Sequence, residues 1–293
     1  MSILFIGEGR LGNQIFQIAA IKTLYHKRVI FSPSLRSLRN IFEPVCGLSV
    51  RFSDRKTEGV IRRIFLPSLI RPIFKWLRIG GYCYEPLERV YSGPVGNSGR
   101  AVVAKGLFPL TLVDGGFYQN LTTLLSPSDF QCLNVRTDVL AAAGDVVTSV
   151  VGGRPWPKAV MHVRRGDYIG FKAYGLDDVT LPVSYYERAV ARARQELGPE
   201  AEILVVTDDA AWCEQALAGL KPFTVVSGSE AVDFALLTMF PVAILSNSTF
   251  SLAAACVGPA VQRVIGPEYW FGHSVKQWYP PQIKSSDERF VYV

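Results

Sequence analysis

Two adjacent arginines followed by an aspartate, in "MHVRRGDY" (161–168), are well suited to chemistry on an anion. Arginine presents a planar fork of permanent donors that matches phosphate oxygens. If the apolar strand predicted before them continues, Arg164 and Arg165 face opposite ways. One would then face a ligand while the other pairs with an acid such as Asp167. A structural ion pair accounts for one arginine more easily than for both at the carboxyl end of a strand. "SNSTFS" (246–251) places an amide and several hydroxyls just before a run of small residues. Hydroxyls at a helix N-terminus make a ready anion site. Capping by Ser248 or Thr249 accounts for this stretch equally well when it is taken alone.

A third candidate lies near the start, in "ILFIGEGRLGNQIFQIAA" (3–20). An apolar strand runs into Gly7-x-Gly9-x-x-Gly12 and a helical pattern follows. Glycines let the backbone approach a ligand, and the helix aims free N–H groups at it. A dinucleotide site also needs an acid about 20 residues on, for the ribose. That region carries Arg36 and Arg39, with no acid before Glu43. An NADP-dependent oxidoreductase could use such an arginine, so this reading is weakened but stays open. Asn13 and Gln14 are not called for by the fingerprint. They read as ligand contacts, or, for Asn13, as a helix cap.

No Asp-x-Asp occurs anywhere; Asp177-Asp178 and Asp208-Asp209 are adjacent pairs. A transferase that bridges a nucleotide diphosphate with a metal would typically show that acidic motif. Its absence favours neutralising the diphosphate with arginine and helix N-termini. His26, His162 and His273 are far apart, which argues against a histidine metal site. Five scattered cysteines without C-x-x-C fit reduced thiols in a cytosol. The N-terminus shows no basic leader region, and no long apolar run is free of breaks, so no signal peptide or transmembrane helix is expected.

The elements that must position these residues alternate. The 293 residues are 49% hydrophobic, enough for about two domains. Net charge is +6, which suits an anionic ligand or surface without naming it. Residues 2–7 read as a strand, 12–26 as a helix and 28–32 as a strand. "VIRRIFLPSLIRPIFKWLRIGGY" reads as core-packed helices with solvated arginines, or as a basic amphipathic segment on an anionic membrane. "RAVVAKG" and "TLVDGG" suggest a short β region before the turn "DGGFYQN". A Gly/Pro-dense break at 151–159 divides the chain into 1–150 and 151–293. Beyond it, strands "KAVMHV", "AEILVV", "FTVVSG" and "VAILSN", with "AVQRVIG" as the last, alternate with helices such as "VSYYERAVARARQEL" and "EAVDFALLTMF". This pattern implies a parallel sheet covered on both faces, with ligands beyond its carboxyl ends.

In this order and at these separations, "GRLGNQIFQIAA", "HVRRGDY", "VTDDAAWC" and "LSNSTFS" resemble the bacterial α-1,2-fucosyltransferases, inverting enzymes that use GDP-fucose. "DGGFYQN" is similar to the family's Asp-Gly-Tyr-Phe-Gln element, and "YYERAV" to its Tyr-Tyr helix. The resemblance implies an α/β fold of two Rossmann-like domains facing across a cleft, the glycosyltransferase-B type. It implies an acceptor-side domain at 1–150, a GDP-sugar-binding domain at 151–293, and no metal or other cofactor. Arg164 would bind the β-phosphate and stabilise departing GDP, and His162 would contact the guanosine. Asp233 matches an acid that reads the guanine edge. Asn247, Ser248, Thr249 and Phe250 would cradle phosphate, with Arg165 and Asp167 in the same donor site. Gly12 and Asn13 would close on the diphosphate and sugar. Asp114, Tyr118 and Gln119 fall on the acceptor side. Where the family continues Thr-Phe-Ser with Trp-Trp-Gly, this chain has "SLAAACVG", which leaves GDP-rhamnose open as an alternative donor.

An inverting transfer needs a base for the acceptor hydroxyl. Glu8 on the glycine turn is the first candidate and Asp114 the second; either could equally be a turn acid with no chemical part. The expected partners are a nucleotide-sugar donor and a lipid-linked oligosaccharide or polysaccharide acceptor such as an O-antigen repeat. The enzyme would work in the cytoplasm, with segment 61–80 brought to the inner membrane face. Nucleic acid is not expected, because the basic residues lack an interleaved aromatic platform.

Overall fold

A computed structural model describes residues 2–6, 9–24, 29–31, 36–43, 81–84, 110–114 and 116–293. Glu8, the 61–80 segment and "RAVVAKG" lie outside the described residues. Contacts divide the chain into one unit of Met1–Gln119 with Cys132–Asn134, and a second of Asn120–Gln131 with Val135–Val293.

The first unit has strands β1 (Ser2–Ile6), β2 (Val29–Phe31), β3 (Gly81–Tyr84) and β4 (Leu110–Asp114). They form a parallel sheet in the order β2-β1-β4-β3. β1 runs beside β4 from Ser2 opposite Leu110 to Ile6 opposite Asp114. The carboxyl ends of β1 and β4 therefore lie side by side. Helices α1 (Leu11–Leu24) and α2 (Arg36–Ile41) follow β1 and β2. α1 is buried almost all round, including the polar Gln14 and Gln17.

The second unit begins with residues 120–131, held by backbone bonds from Leu121 and Thr122 to the Gln282 carbonyl. Helix α3 (Thr137–Val151) buries Val139, Ala143, Val147 and Val151, a stripe at four-residue spacing that the sequence reading passed over. It packs on helix α6 (Glu230–Thr238), and Gly152 ends it in the left-handed conformation, φ 57°. The Gly/Pro-dense stretch that follows leads into strand β5 (Ala159–Val163).

Five further strands complete a parallel sheet: β6 (Ile203–Thr207), β7 (Phe223–Val226), β8 (Val242–Ile244), β9 (Arg263–Gly266) and β10 (Phe290–Tyr292). Its order is β10-β9-β8-β5-β6-β7, so "AVQRVIG" is not the last strand. Every residue of β5, β6 and β8 is buried, as a sheet covered on both faces requires. Helices α4 (Val183–Leu197), α5 (Ala210–Ala216) and α7 (Thr249–Val257) join α3 and α6 around it. Tyr185 of α4 donates its hydroxyl to the Leu245 carbonyl at 2.5 Å, tying that helix to the end of β8. The chain steps outward from β5 to β6 and β7, then returns to β8 beside β5. The strand order thus reverses between β5 and β8, which is where ligands settle in doubly wound sheets.

α6 and α7 pack closely, because Ser251 through Val257 are small or branched and all buried. Gly258 closes α7 against α6: a Cβ there would stand 2.8 Å from the Thr238 carbonyl oxygen and 2.9 Å from its Cα. Gly258→Ala is expected to destabilise the protein by about 1–3 kcal/mol, the usual cost of overpacking. A thermal melt that does not move would show that the two helices separate freely.

Candidate active site at the strand switch point

In the second unit, the polar residues singled out in the sequence gather at the carboxyl ends of β5, β6 and β8. His162, the penultimate residue of β5, is 4% exposed, and its Nδ1 lies 2.7 Å from Ser246 Oγ. That bond spans the reversal between β5 and β8. Burial, and then the charge of Arg164, push the imidazole pKa down to about 3. His162 is therefore neutral near pH 7 and contributes polarity without charge.

Strand β5 ends at Val163, so the alternation expected of Arg164 and Arg165 does not apply. A 3-10 turn, Gly166–Tyr168, follows instead. Both arginines are paired. Arg164 Nη1 lies 2.8 Å from Asp208 and Nη2 2.5 Å from Asp167. The acid that pairs with Arg165 is Asp209 at 3.2 Å, not Asp167. Arg165 also stacks on Trp212, its guanidinium carbon 4.0 Å from the ring centroid. Asp209 accepts the Trp212 N–H and so caps α5. Arg165 is thus built into the framework. Arg164 keeps 21% of its side chain exposed, and its guanidinium lies 5.8 Å from the Tyr168 ring.

The β8 end carries four buried polar residues in "SNSTFS". Ser246, Asn247 and Ser251 are 0% exposed and Ser248 5%. Ser248 caps α7 by accepting the Phe250 N–H at 3.3 Å, with Thr249 as the first helical residue. Ser251 donates back to the carbonyls of Ser246 and Ser248. The Ser248 and Ser251 hydroxyls are therefore occupied in closing the turn. Asn247 donates Nδ2 to the Val179 carbonyl at 2.6 Å, while its buried Oδ1 finds no hydrogen-bond partner among the described residues. Tyr168 donates its hydroxyl to the Asn247 carbonyl, joining the arginine turn to this loop. The Phe250 ring centroid is 5.5 Å from His162 on one side and 5.5 Å from Phe234 on the other.

Next to Phe234, Asp233 sits in the first turn of α6 and accepts the Gly228 N–H at 2.9 Å. Burial raises its carboxyl pKa to about 6, against the opposing pull of that N–H. A half-buried acid with one backbone donor has room to accept further donors from a ligand.

The first unit assembles its own cluster. Gly9 has φ 80°, and a Cβ there would collide with the Asn13 side chain, 2.4 Å away. Gln14 Nε2 donates to the Gly9 carbonyl and Gln17 Nε2 to the Gly116 carbonyl. Gln119 Nε2 donates to Asn13 Oδ1 at 2.8 Å. The side chain of Asn13 thus holds the β4 turn. Gly12 is buried in the first turn of α1, and Tyr118 is 8% exposed at φ 52°. Asp114 is the last residue of β4, in register with Ile6. Residues 9–17 and 116–119, read separately in the sequence, are joined by these hydrogen bonds.

Asp208, Trp212 and Tyr168 carry parts of the second-unit site that the sequence reading did not assign. A usable signal existed: "VTDD" ends the strand that pairs with β5, so its acids had to emerge beside the arginines. Among the described residues, no group of three His, Cys, Asp or Glu side chains is placed to hold a metal ion. No helix among them is long and apolar enough to cross a membrane.

Comparison with known proteins gives a consistent answer. The family model described as glycosyl transferase family 11 matches residues 108–261. The O-antigen biosynthesis glycosyltransferase WbnK of Escherichia coli is 28% identical over 296 residues, covering 92% of this chain and 95% of that protein. Galactoside alpha-(1,2)-fucosyltransferase 2 of Mus musculus is 33% identical over 255 residues, covering 84% of this chain and 65% of that protein. Among solved structures, POFUT1 in complex with GDP matches with a TM-score of 0.52 at 11% identity, over 90% of this chain and 98% of that one. The fucosyltransferase NodZ from Bradyrhizobium matches with a TM-score of 0.51 at 17% identity, over 90% and 93%. At such identities the two structures speak to the fold alone.

Proposed function

The chain belongs to glycosyl transferase family 11 and is a glycosyltransferase, and we propose that it moves L-fucose from GDP-fucose to a glycan hydroxyl, inverting the donor's anomeric centre and forming an α-1,2 linkage. The names of its relatives, an O-antigen glycosyltransferase and a galactoside α-1,2-fucosyltransferase, support the donor and the class of acceptor. The observation that carries the reading is Arg164, a guanidinium held at the strand switch point beside a neutral, buried histidine. A nucleotide diphosphate brings negative charge to such a point, and a permanent cation there meets it.

In the proposed reaction the acceptor oxygen forms a bond to C1 of fucose as the bond from C1 to the β-phosphate oxygen breaks. The electron pair leaves with GDP, and the acceptor proton passes to a base. Arg164 stabilises the charge that grows on the β-phosphate. Asp233 accepts donors from the guanine edge. Asn247, with Ser248, Thr249 and Phe250, shapes the loop that receives the phosphates. Glu8 is the proposed base and Asp114 the alternative, with Asn13, Tyr118 and Gln119 assigned to sugar and acceptor. A reaction without a divalent ion is proposed on this arginine and on a sequence lacking Asp-x-Asp. Work in the cytoplasm, with segment 61–80 at the membrane face, is proposed on that segment's mix of arginine and aromatic residues.

Incubation with a panel of GDP-sugars, with and without a chelator, tests the reading. Turnover is expected with GDP-fucose, at a rate the chelator leaves unchanged. Preference for GDP-rhamnose would establish the alternative donor. Turnover of no GDP-sugar would refute the assignment.

A further inference from the structure

We propose that Asp208 is a positioning residue that aims Arg164 at the departing phosphate, an inference that rests on the assignment of Arg164 above. Three consecutive residues of the arginine turn meet this one carboxylate. Arg164 presents Nη1 to Oδ2 at 2.8 Å, and Arg165 donates its backbone N–H to Oδ1 at 2.9 Å. Gly166 supplies the space, since a Cβ on it would stand 2.6 Å from Oδ2. Gly166 is not among the residues with positive φ, so its lack of a side chain serves clearance, not backbone conformation.

The two acids on the Arg164 guanidinium are not equivalent. Asp167 belongs to the same turn, three residues on, and its side chain is 44% exposed. Asp208 comes from the end of β6, the strand paired to β5 through Val163 opposite Thr207, and is 27% exposed. Its carboxylate is tied to main chain through Oδ1, so it defines a direction in the frame of the sheet. A guanidinium gripped at Nη1 has its free rotations removed before the donor arrives. Stabilising a developing charge depends on that prior orientation, because a group that must reorient during the reaction gives back part of its effect. Asp209 serves the Arg165 guanidinium and the α5 cap instead, so the adjacent acids take one guanidinium each.

Asp208→Asn separates aiming from folding. The amide oxygen can still accept the Arg165 N–H, while the amide nitrogen meets Nη1 donor to donor. We expect kcat to fall by about 10²-fold, the effect of a misplacement near 1 Å, with the donor KM and the melting temperature nearly unchanged. Gly166→Ala, which displaces the same carboxylate from the opposite side, is expected to show the same split. In an Arg164→Ala background, Asp208→Asn should cost nothing more, because its effect passes through the arginine. Near-normal kcat in Asp208→Asn, or a full additional loss in the double variant, would overturn the proposal while leaving Arg164 in place. Normal activity of Arg164→Ala alone would remove the assignment beneath it.

Discussion

Arg164→Ala turns over its donor about 10²–10³-fold more slowly than the wild-type protein, the cost of removing one donor from a developing anion, and it melts within a few degrees of wild type. The argument for the first half is charge. His162 is buried and neutral, and Arg165 is committed to Asp209 and Trp212. Arg164 is bound by Asp167 and Asp208 as well, but its guanidinium lies beside Tyr168 at the end of β5, and it is the one proposed to meet a diphosphate. The argument for the second half is exposure. Its partners Asp167 and Asp208 keep 44% and 27% of their side chains in solvent, and Asp208 retains the Arg165 N–H. Partly exposed ion pairs contribute little to stability, about 1 kcal/mol or less. Arg164→Lys keeps the charge but loses the fork, and should recover part of the rate. Steady-state kinetics beside a thermal melt read both halves. A variant that is inactive only because it is unfolded, or one that is folded and active, defeats the assignment.

Asp233→Asn raises the donor KM by about 10–100-fold, with kcat less affected, as loss of a charge-assisted hydrogen bond would. The variant should also lose preference for GDP over the inosine and adenosine diphosphates as inhibitors, since a carboxylate accepts from guanine's N–H groups and an amide matches them on one side only. The pH dependence has a definite sign. Burial raises the carboxyl to about 6, so the wild-type donor KM should climb as pH falls through 6 and the acceptor group is lost. Stability moves the other way: between about 4 and 6 the folded protein binds more protons than the unfolded chain, so this residue's contribution falls as pH rises. Asp233→Asn should flatten both dependences. An unchanged KM, or a pH profile that the substitution leaves in place, would dissociate Asp233 from the base.

How much of this was legible in the sequence depended on the range of the interaction. Helix α4 was read to its ends, because "VSYYERAVARARQEL" carries its own period between Pro182 and Gly198. Helix α3 was passed over although its four-residue stripe was present, because it leads straight into a Gly/Pro break that looked like a linker. Strand β10 is three residues long and has meaning only beside β9. Short elements held by a neighbour leave little periodic trace.

The sequence by itself determined the chemical inventory. The arginine pair, the hydroxyl-rich turn and the glycine turn pointed to an anionic ligand, and the resemblance of these motifs to a fucosyltransferase family implied that the anion is a nucleotide diphosphate; residue type alone settles charge and donor capacity. The tertiary structure decided which acid each arginine meets. Asp208 and Asp209 are adjacent in the chain, yet one grips the guanidinium of Arg164 and the other that of Arg165, both far back in the chain. It also decided that His162 is uncharged, since its protonation follows from burial between strands that meet only in the fold. Local rules set what each residue can do. Its neighbours across the sheet, chosen by strand order, set what it does.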